Sequence, residues 1–155
     1  MNTLVSVPST IVTSTLEHLR TAGKKDRELV VTWHGKKSPA GIAVTRLSIP
    51  EQIGTRVSFR VSDEGMRRLR AELAAAGELV AAQVHAHPAE AFHSLADDRG
   101  ALVGHLGALS IVLPEFAARC SVTNFTTLAA VFTLHGTGRW REVSPGNLDT
   151  TLQIV

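Results

Sequence analysis

The sequence predicts an α/β sandwich: a mixed, largely antiparallel sheet flanked by helices. Three observations lead there. Short apolar runs alternate with polar residues at strand period, and two longer segments carry apolar residues at helical period. The two kinds of segment follow one another along the chain instead of forming separate blocks. At 155 residues and 44% hydrophobic, the chain suits one domain, 1–155, that buries a core of its own. It contains no repeat, no low-complexity segment and no linker long enough to divide it.

Leu4 to Val7 reads as a short strand. Pro8-Ser9 then introduces a helix with Ser9 as its N-cap, and Val12, Leu16 and Leu19 at i, i+4, i+7 make its core-facing stripe. Ala22-Gly23 ends that helix. Strands follow at Leu29–Trp33 and Gly41–Ile49, with Gly35-Lys-Lys-Ser-Pro-Ala-Gly41 as the turn between them. Val57 and Phe59 alternate with polar residues in a third strand, Arg56–Val61. Ser62-Asp63-Glu64 opens a second helix lined by Met66, Leu69 and Leu73 and closed by Gly77. The run Glu78–His85 is the central strand. Asp97–Gly107 reads as a helix interrupted by glycines, and Leu109–Leu113, Thr127–His135 and Arg139–Val143 as strands. The tail Pro145–Val155 fits either an edge strand or a loose end.

Charge and composition exclude several classes. Net charge is +2, with no basic stripe interleaved with aromatics, so no nucleic-acid partner is expected. Arg67, Arg68 and Arg70 read as the solvated face of the second helix. No apolar stretch is long enough to span a bilayer, and Met1-Asn-Thr-Leu-Val-Ser lacks the pattern of a signal peptide, so a cytoplasmic protein without a membrane partner is expected. Cys120 is the single cysteine, which fits a reducing compartment and a packing role.

The chemistry concentrates at the end of the central strand, in His85-Ala-His87-Pro88 followed by Ser94 and Asp97. Residues i and i+2 of a strand share a face, so His85 and His87 can reach one ion. Pro88 has no N–H to give and ends the pairing. Asp97 returns a carboxylate at the start of the next helical segment. Two nitrogens and one oxygen leave one corner of a zinc tetrahedron open, as in a catalytic site. Upstream, Glu28 ends the polar stretch Gly23-Lys-Lys-Asp-Arg-Glu28 and opens the apolar run through Trp33.

On these residues the chain resembles the JAMM (MPN+/JAB) metallopeptidases. In that family a Glu precedes a strand ending in Gly, and His-x-His-Pro…Ser-x-x-Asp follows after a strand-helix-strand interval. Glu28, His85, His87, Ser94 and Asp97 fall on the five functional positions in order, and the resemblance covers Leu4 to Val143. Leu109–Phe116 also resembles the strand and exit loop that follow the motif in bacterial members. There are two departures. Five residues separate Pro88 from Ser94 where the familiar pattern has six, and Trp33 replaces a small aliphatic residue, implying a bulkier wall beside the metal.

The resemblance implies a JAB/MPN sandwich of the cytidine-deaminase-like kind, with zinc held by His85, His87 and Asp97. Zinc lowers the pKa of its water to near 7. Glu28 would then serve as general base, and Ser94 would donate to the tetrahedral oxyanion. Ser94 is not expected as a nucleophile, since it lacks the Gly-x-Ser-x-Gly turn. Asp98 competes with Asp97 as ligand, and the Ser-x-x-Asp register favours Asp97. His93 reads as either a loop residue or a neighbour of the ligands. His34 should face away from Trp33, while His18, His105 and His135 read as surface or satisfied interior residues.

The implied activity is cleavage of peptide or isopeptide bonds after the C-terminal tail of a ubiquitin-like protein, either in deconjugation or in precursor processing. The implied partners are that protein or its conjugates and E1-like and E2-like enzymes of the same system, with bacterial antiviral defence as one setting. The alternatives are a peptidase processing sulfur-carrier proteins, a DNA-repair relative, which the charge pattern disfavours, and a non-catalytic MPN scaffold, which would be expected to have lost ligands.

Overall fold

A computed structural model of the chain describes residues 3–92 and 102–155. In order, the described elements are strand β1 (Val5–Val7), helix α1 (Ser9–Lys24), β2 (Val31–Ser38), β3 (Gly41–Ser48), β4 (Gln52–Gly54), β5 (Phe59–Val61), α2 (Asp63–Ala76) and β6 (Leu79–Ala86). They continue with β7 (Leu109–Leu113), a tight turn at Glu115–Ala117, a short helix α3 (Phe125–Leu128), β8 (Ala130–Leu134), β9 (Trp140–Glu142), a 3-10 turn at Pro145–Asn147, and β10 (Leu152–Ile154). The main sheet runs β10-β1-β3-β2-β6-β7-β8-β9, and β4 and β5 form a separate hairpin. Pairing is antiparallel at β3–β2, β2–β6, β7–β8 and β8–β9, and parallel at β10–β1, β1–β3 and β6–β7. The expected mixed sheet is therefore present, with helices against it.

One face of this sheet is apolar. Val12, Leu16 and Leu19 of α1 are buried against Val5, Val7, Val31, Trp33, Ala82, Val84, Leu109, Ile111 and Leu113. Trp33 donates its indole N–H to Thr15 Oγ1 at 2.8 Å and stacks on Phe125, ring centroids 6.0 Å apart. The face toward α2 is different. A smaller cluster of Leu69, Val80, Val103 and Ala108 packs at one end. The rest of that face carries buried polar side chains: Thr32, His34, Gln83, His85 and Ser110.

A β-bulge sets which residues point there. Trp33 pairs with Ala82 but His34 pairs with Val80, so Ala81 is an extra residue in β6. Such an insertion reverses the alternation of everything beyond it. Val80 packs toward Leu69, whereas Ala81 and Ala82 both join the α1 core. After the bulge, the odd-numbered Gln83 and His85 occupy the α2 face.

Several boundaries differ from the sequence expectations, for local reasons. Pro8 is the N-cap of α1, and Ser9 lies inside the helix without capping it. The β2–β3 turn is tighter than expected, because pairing continues to Ser38↔Gly41 and leaves only Pro39-Ala40 between the strands. The strand expected at Arg56–Val61 is the β4–β5 hairpin, with only Phe59–Val61 extended and Gln52–Gly54 as its unforeseen partner. The first part of the expected Thr127–His135 strand is α3. Residues 102–107, expected at the end of a helix, are not helical, and residues 97–101 lie outside the described part. By contrast, Ser62 caps α2 through Gly65 N at 3.0 Å, and Gly77 ends it with φ 63°. The tail does form an edge strand, β10, parallel to β1.

Candidate metal centre

Glu28 is placed by the β4–β5 hairpin. Its N–H donates to Thr55 O at 2.7 Å. A Cβ at Gly54 would lie 2.0 Å from the Glu28 carbonyl oxygen, so only glycine lets the two backbones approach this closely. Two residues on, the Gln52 side chain brackets Val30, accepting from its N–H at 2.8 Å and donating to its carbonyl at 2.9 Å. The amide thus replaces a missing strand partner ahead of β2. Arg56 at the hairpin turn also pairs with Asp26. Held this way, Glu28 sits on the polar face, two steps of alternation ahead of Thr32.

His85 reaches the same face from β6, and His87 follows it just past the strand end. His87 N donates to Leu113 O at 2.9 Å, which extends the parallel β6–β7 register by one step. The two Nε2 atoms are 3.1 Å apart, and Glu28 Oε1 lies 3.8 Å from His87 Nε2. One ligand atom from each residue falls within 4.8 Å of the others. Glu28, His85 and His87 are 3%, 0% and 4% exposed. Two aromatic rings wall the imidazoles: Phe59 meets His85 edge-on at 5.1 Å, and Phe92 meets His87 edge-on at 4.5 Å.

The arrangement fits a divalent cation. Ligands at about 2.0–2.1 Å on neighbouring corners of a tetrahedron lie about 3.3 Å apart, within a few tenths of an ångström of the separation between the imidazole nitrogens. Paired imidazoles are also the borderline donors that first-row transition ions take, and the Glu28 carboxylate beside them adds a compensating negative charge. Among the described residues, this is the group of His, Cys, Asp and Glu side chains close enough to hold an ion.

The chain leaving β7 supports His87 from below. Phe116 N donates to His87 O at 2.8 Å and Glu115 N to Ala89 O at 2.9 Å. Glu115, Phe116 and Ala117 have φ of 52°, 50° and 61°, three consecutive non-glycine residues in the left-handed region. At about 1–2 kcal/mol each, this conformation costs about 3–6 kcal/mol, which the surrounding contacts must offset.

Of the residues expected at the site, Glu28, His85 and His87 are brought together. Ser94 and Asp97 lie outside the described residues, as do His93 and Asp98. Trp33 is not a wall beside the ion: the β2–β6 register places it on the α1 face, opposite His85. His34 does face away from Trp33, accompanied by Thr32, whose Oγ1 lies 2.9 Å from His34 Nε2. Burial holds the His34 imidazole below its ordinary pKa, and the Arg46 charge adds to this. His105 is satisfied, its Nε2 lying 2.7 Å from Val80 O. Burial likewise raises the Cys120 thiol pKa, which matches a packing role.

Sequence reasoning misses three contributors. Phe59 reads from the sequence only as a strand residue, and nothing in the sequence singles out Phe92. Gln83 lies two residues before His85 on the same face. Its Oε1 accepts from Leu102 N at 2.8 Å and its Nε2 donates to Ser110 Oγ at 3.3 Å. The signal for it is a glutamine inside an otherwise apolar strand, at the same parity as His85.

No known family profile matches the chain. A protein of Sinorhizobium fredii named "Probable metalloprotease y4jG" is 31% identical over 155 residues, spanning 97% of this chain and 94% of that one. The chain belongs to this metalloprotease family. Membership and the Glu28–His85–His87 cluster agree, since each independently points to a divalent metal. The solution structure of protein DSY2949 from Desulfitobacterium hafniense superposes with a TM-score of 0.65 at 16% identity, covering 91% of this chain and 90% of that one. At that identity the likeness concerns the fold alone. No described helix is long and apolar enough to cross a membrane.

Proposed function

We propose that this metalloprotease is a zinc-dependent peptidase of the JAMM type, cleaving the peptide or isopeptide bond that follows the C-terminal tail of a ubiquitin-like protein. The observation that carries the proposal is the convergence of the His85 and His87 Nε2 atoms and the Glu28 carboxylate on one buried locus. The order Glu28, His85, His87, Ser94, Asp97 in the chain supports the JAMM assignment over other metalloprotease arrangements.

In this reading His85, His87 and Asp97 hold zinc. The ion would supply Lewis-acid polarisation of the scissile carbonyl and a lowered water pKa. Glu28 takes the proton of the attacking water and passes it to the departing amine. Its placement suits that role, because the hairpin fixes its backbone while its carboxylate stands 3.8 Å from His87 Nε2. Ser94 donates a hydrogen bond to the carbonyl oxygen as charge develops there. Loss of such a donor raises the barrier by about 2.7–4 kcal/mol.

An extended tail is a suitable occupant for the surroundings. Ile53 and Val57 on the hairpin and Phe92 beside His87 are 77%, 70% and 53% exposed. A tail that adds backbone hydrogen bonds at an edge while setting small apolar side chains on such residues follows the strand-addition mode. The partners this reading entails are the modifier or its conjugates and the E1-like and E2-like enzymes of its system, including antiviral ones. A lone, buried Cys120 supports a reducing, cytoplasmic setting.

The test compares wild type with Glu28→Ala and His87→Ala on a modifier fused through its tail to a reporter. Wild type and Glu28→Ala should retain near-stoichiometric zinc and His87→Ala should lose it, while cleavage disappears in both variants. Wild-type turnover in Glu28→Ala would remove it as the base. A wild type that binds zinc and the modifier without cleaving would favour the scaffold alternative.

A further inference from the structure

We infer that Arg20 is a positioning residue for the metal ligand His87, acting through the left-handed turn at Glu115–Ala117. The inference rests on the reading that His87 holds a metal ion, and it adds a residue from α1, on the opposite face of the sheet, to the support of the centre.

Three backbone bonds fix the main chain around His87: His87 N to Leu113 O at 2.9 Å, Phe116 N to His87 O at 2.8 Å and Glu115 N to Ala89 O at 2.9 Å. Two of these three donors lie in the left-handed turn. Their direction depends on that turn's unusual conformation, because its successive N–H groups are what face back toward the His-Ala-His-Pro segment. Phe116, a bulky residue at φ 50°, would not hold such a conformation without outside restraint.

Arg20 supplies that restraint. Its Nε donates to Ala117 O at 3.1 Å and its Nη2 donates to Cys120 O. A planar guanidinium fork can satisfy two carbonyls at once, which a lysine ammonium on a flexible stem does not do in a fixed geometry. One turn further along α1, Gly23 removes the obstacle to the same contact: a Cβ there would lie 2.4 Å from Phe116 Cβ. Arg20 and Gly23, three apart on one helix face, thus receive the last and the middle residue of the strained segment. The path from Arg20 to His87 runs through Ala117 and Phe116, with one hydrogen bond at each end.

This arrangement predicts that metal affinity, and not only fold stability, depends on Arg20. The experiment measures the zinc dissociation constant by competition with a chromophoric chelator, and the melting temperature with and without zinc, for wild type, Arg20→Met and Arg20→Lys. Arg20→Met should weaken zinc binding about tenfold or more and shrink the zinc-induced rise in melting temperature, since that rise follows the affinity. Arg20→Lys should weaken it by a smaller factor.

Wild-type zinc affinity in Arg20→Met, with a lower melting temperature alone, would reduce Arg20 to a structural residue and overturn the inference. If Arg20→Met does not fold, wild-type affinity in Arg20→Lys overturns it equally. Absence of zinc binding in the wild type itself would overturn the metal reading first, and the inference with it.

Discussion

A histidine can be buried for chemistry or for packing, and the neighbours decide which. His85 and His87 face each other and Glu28. His34, equally inaccessible, faces Thr32 and lies within reach of the charges of Arg46, Glu72 and Glu78. Its depressed pKa has a consequence for stability. Between the unfolded value near 6.5 and the lower folded value, the unfolded chain binds more protons than the native one, so stability rises with pH there. Acidification from about pH 6.5 should therefore destabilise the metal-free protein progressively. His34→Gln should flatten that part of a urea-midpoint-against-pH curve relative to wild type, and an unchanged slope would show that His34 is not the group responsible. The three central site residues are legible in the sequence because their chemistry survives in one dimension: His-x-His needs only the strand's period of two, and Glu28 stands at a polar-to-apolar border. Gln83, Phe59 and Phe92 are not, because each acts through a neighbour across the sheet or from another segment.

At the scale of elements, the helices and the central strands are readable, since α1 and α2 carry full apolar stripes and α2 has both of its caps in sequence. The β4–β5 hairpin is only half visible. Its strands are three residues each, too short to show a period, and its first strand owes its position to Gln52 and Gly54 contacting the chain around Glu28 and Val30. The bulge at Ala81 leaves no trace in an alanine pair, yet it decides that Gln83 and His85 share a face with Val80. The hairpin also offers an element-scale prediction. Gly54→Ala inserts a Cβ 2.0 Å from the Glu28 carbonyl, which must move. Cleavage should fall by about tenfold to a hundredfold, as expected when a reacting group shifts by about an ångström, while zinc content stays at the wild-type level. Wild-type activity in that variant would show that the hairpin does not set the base.

Across the whole molecule, the sheet divides labour between its faces. The α1 face carries the apolar core, with Trp33, Phe125 and three β7 residues among its buried members. The α2 face trades apolar packing for a polar band from His34 through Thr32 and Gln83 to His85, and ends at the metal centre. Such a band is tolerated because its members bond one another or the backbone, as Gln83 does with Ser110 and Leu102. The decisive experiment on this arrangement is a crystal structure of the zinc-loaded protein with anomalous data collected at the zinc edge. A single strong peak is expected about 2.0–2.1 Å from both the His85 and His87 Nε2 atoms, on the Glu28 side of the rings. A peak elsewhere, or two imidazoles turned away from one another with none between them, would refute a metal centre at the end of β6.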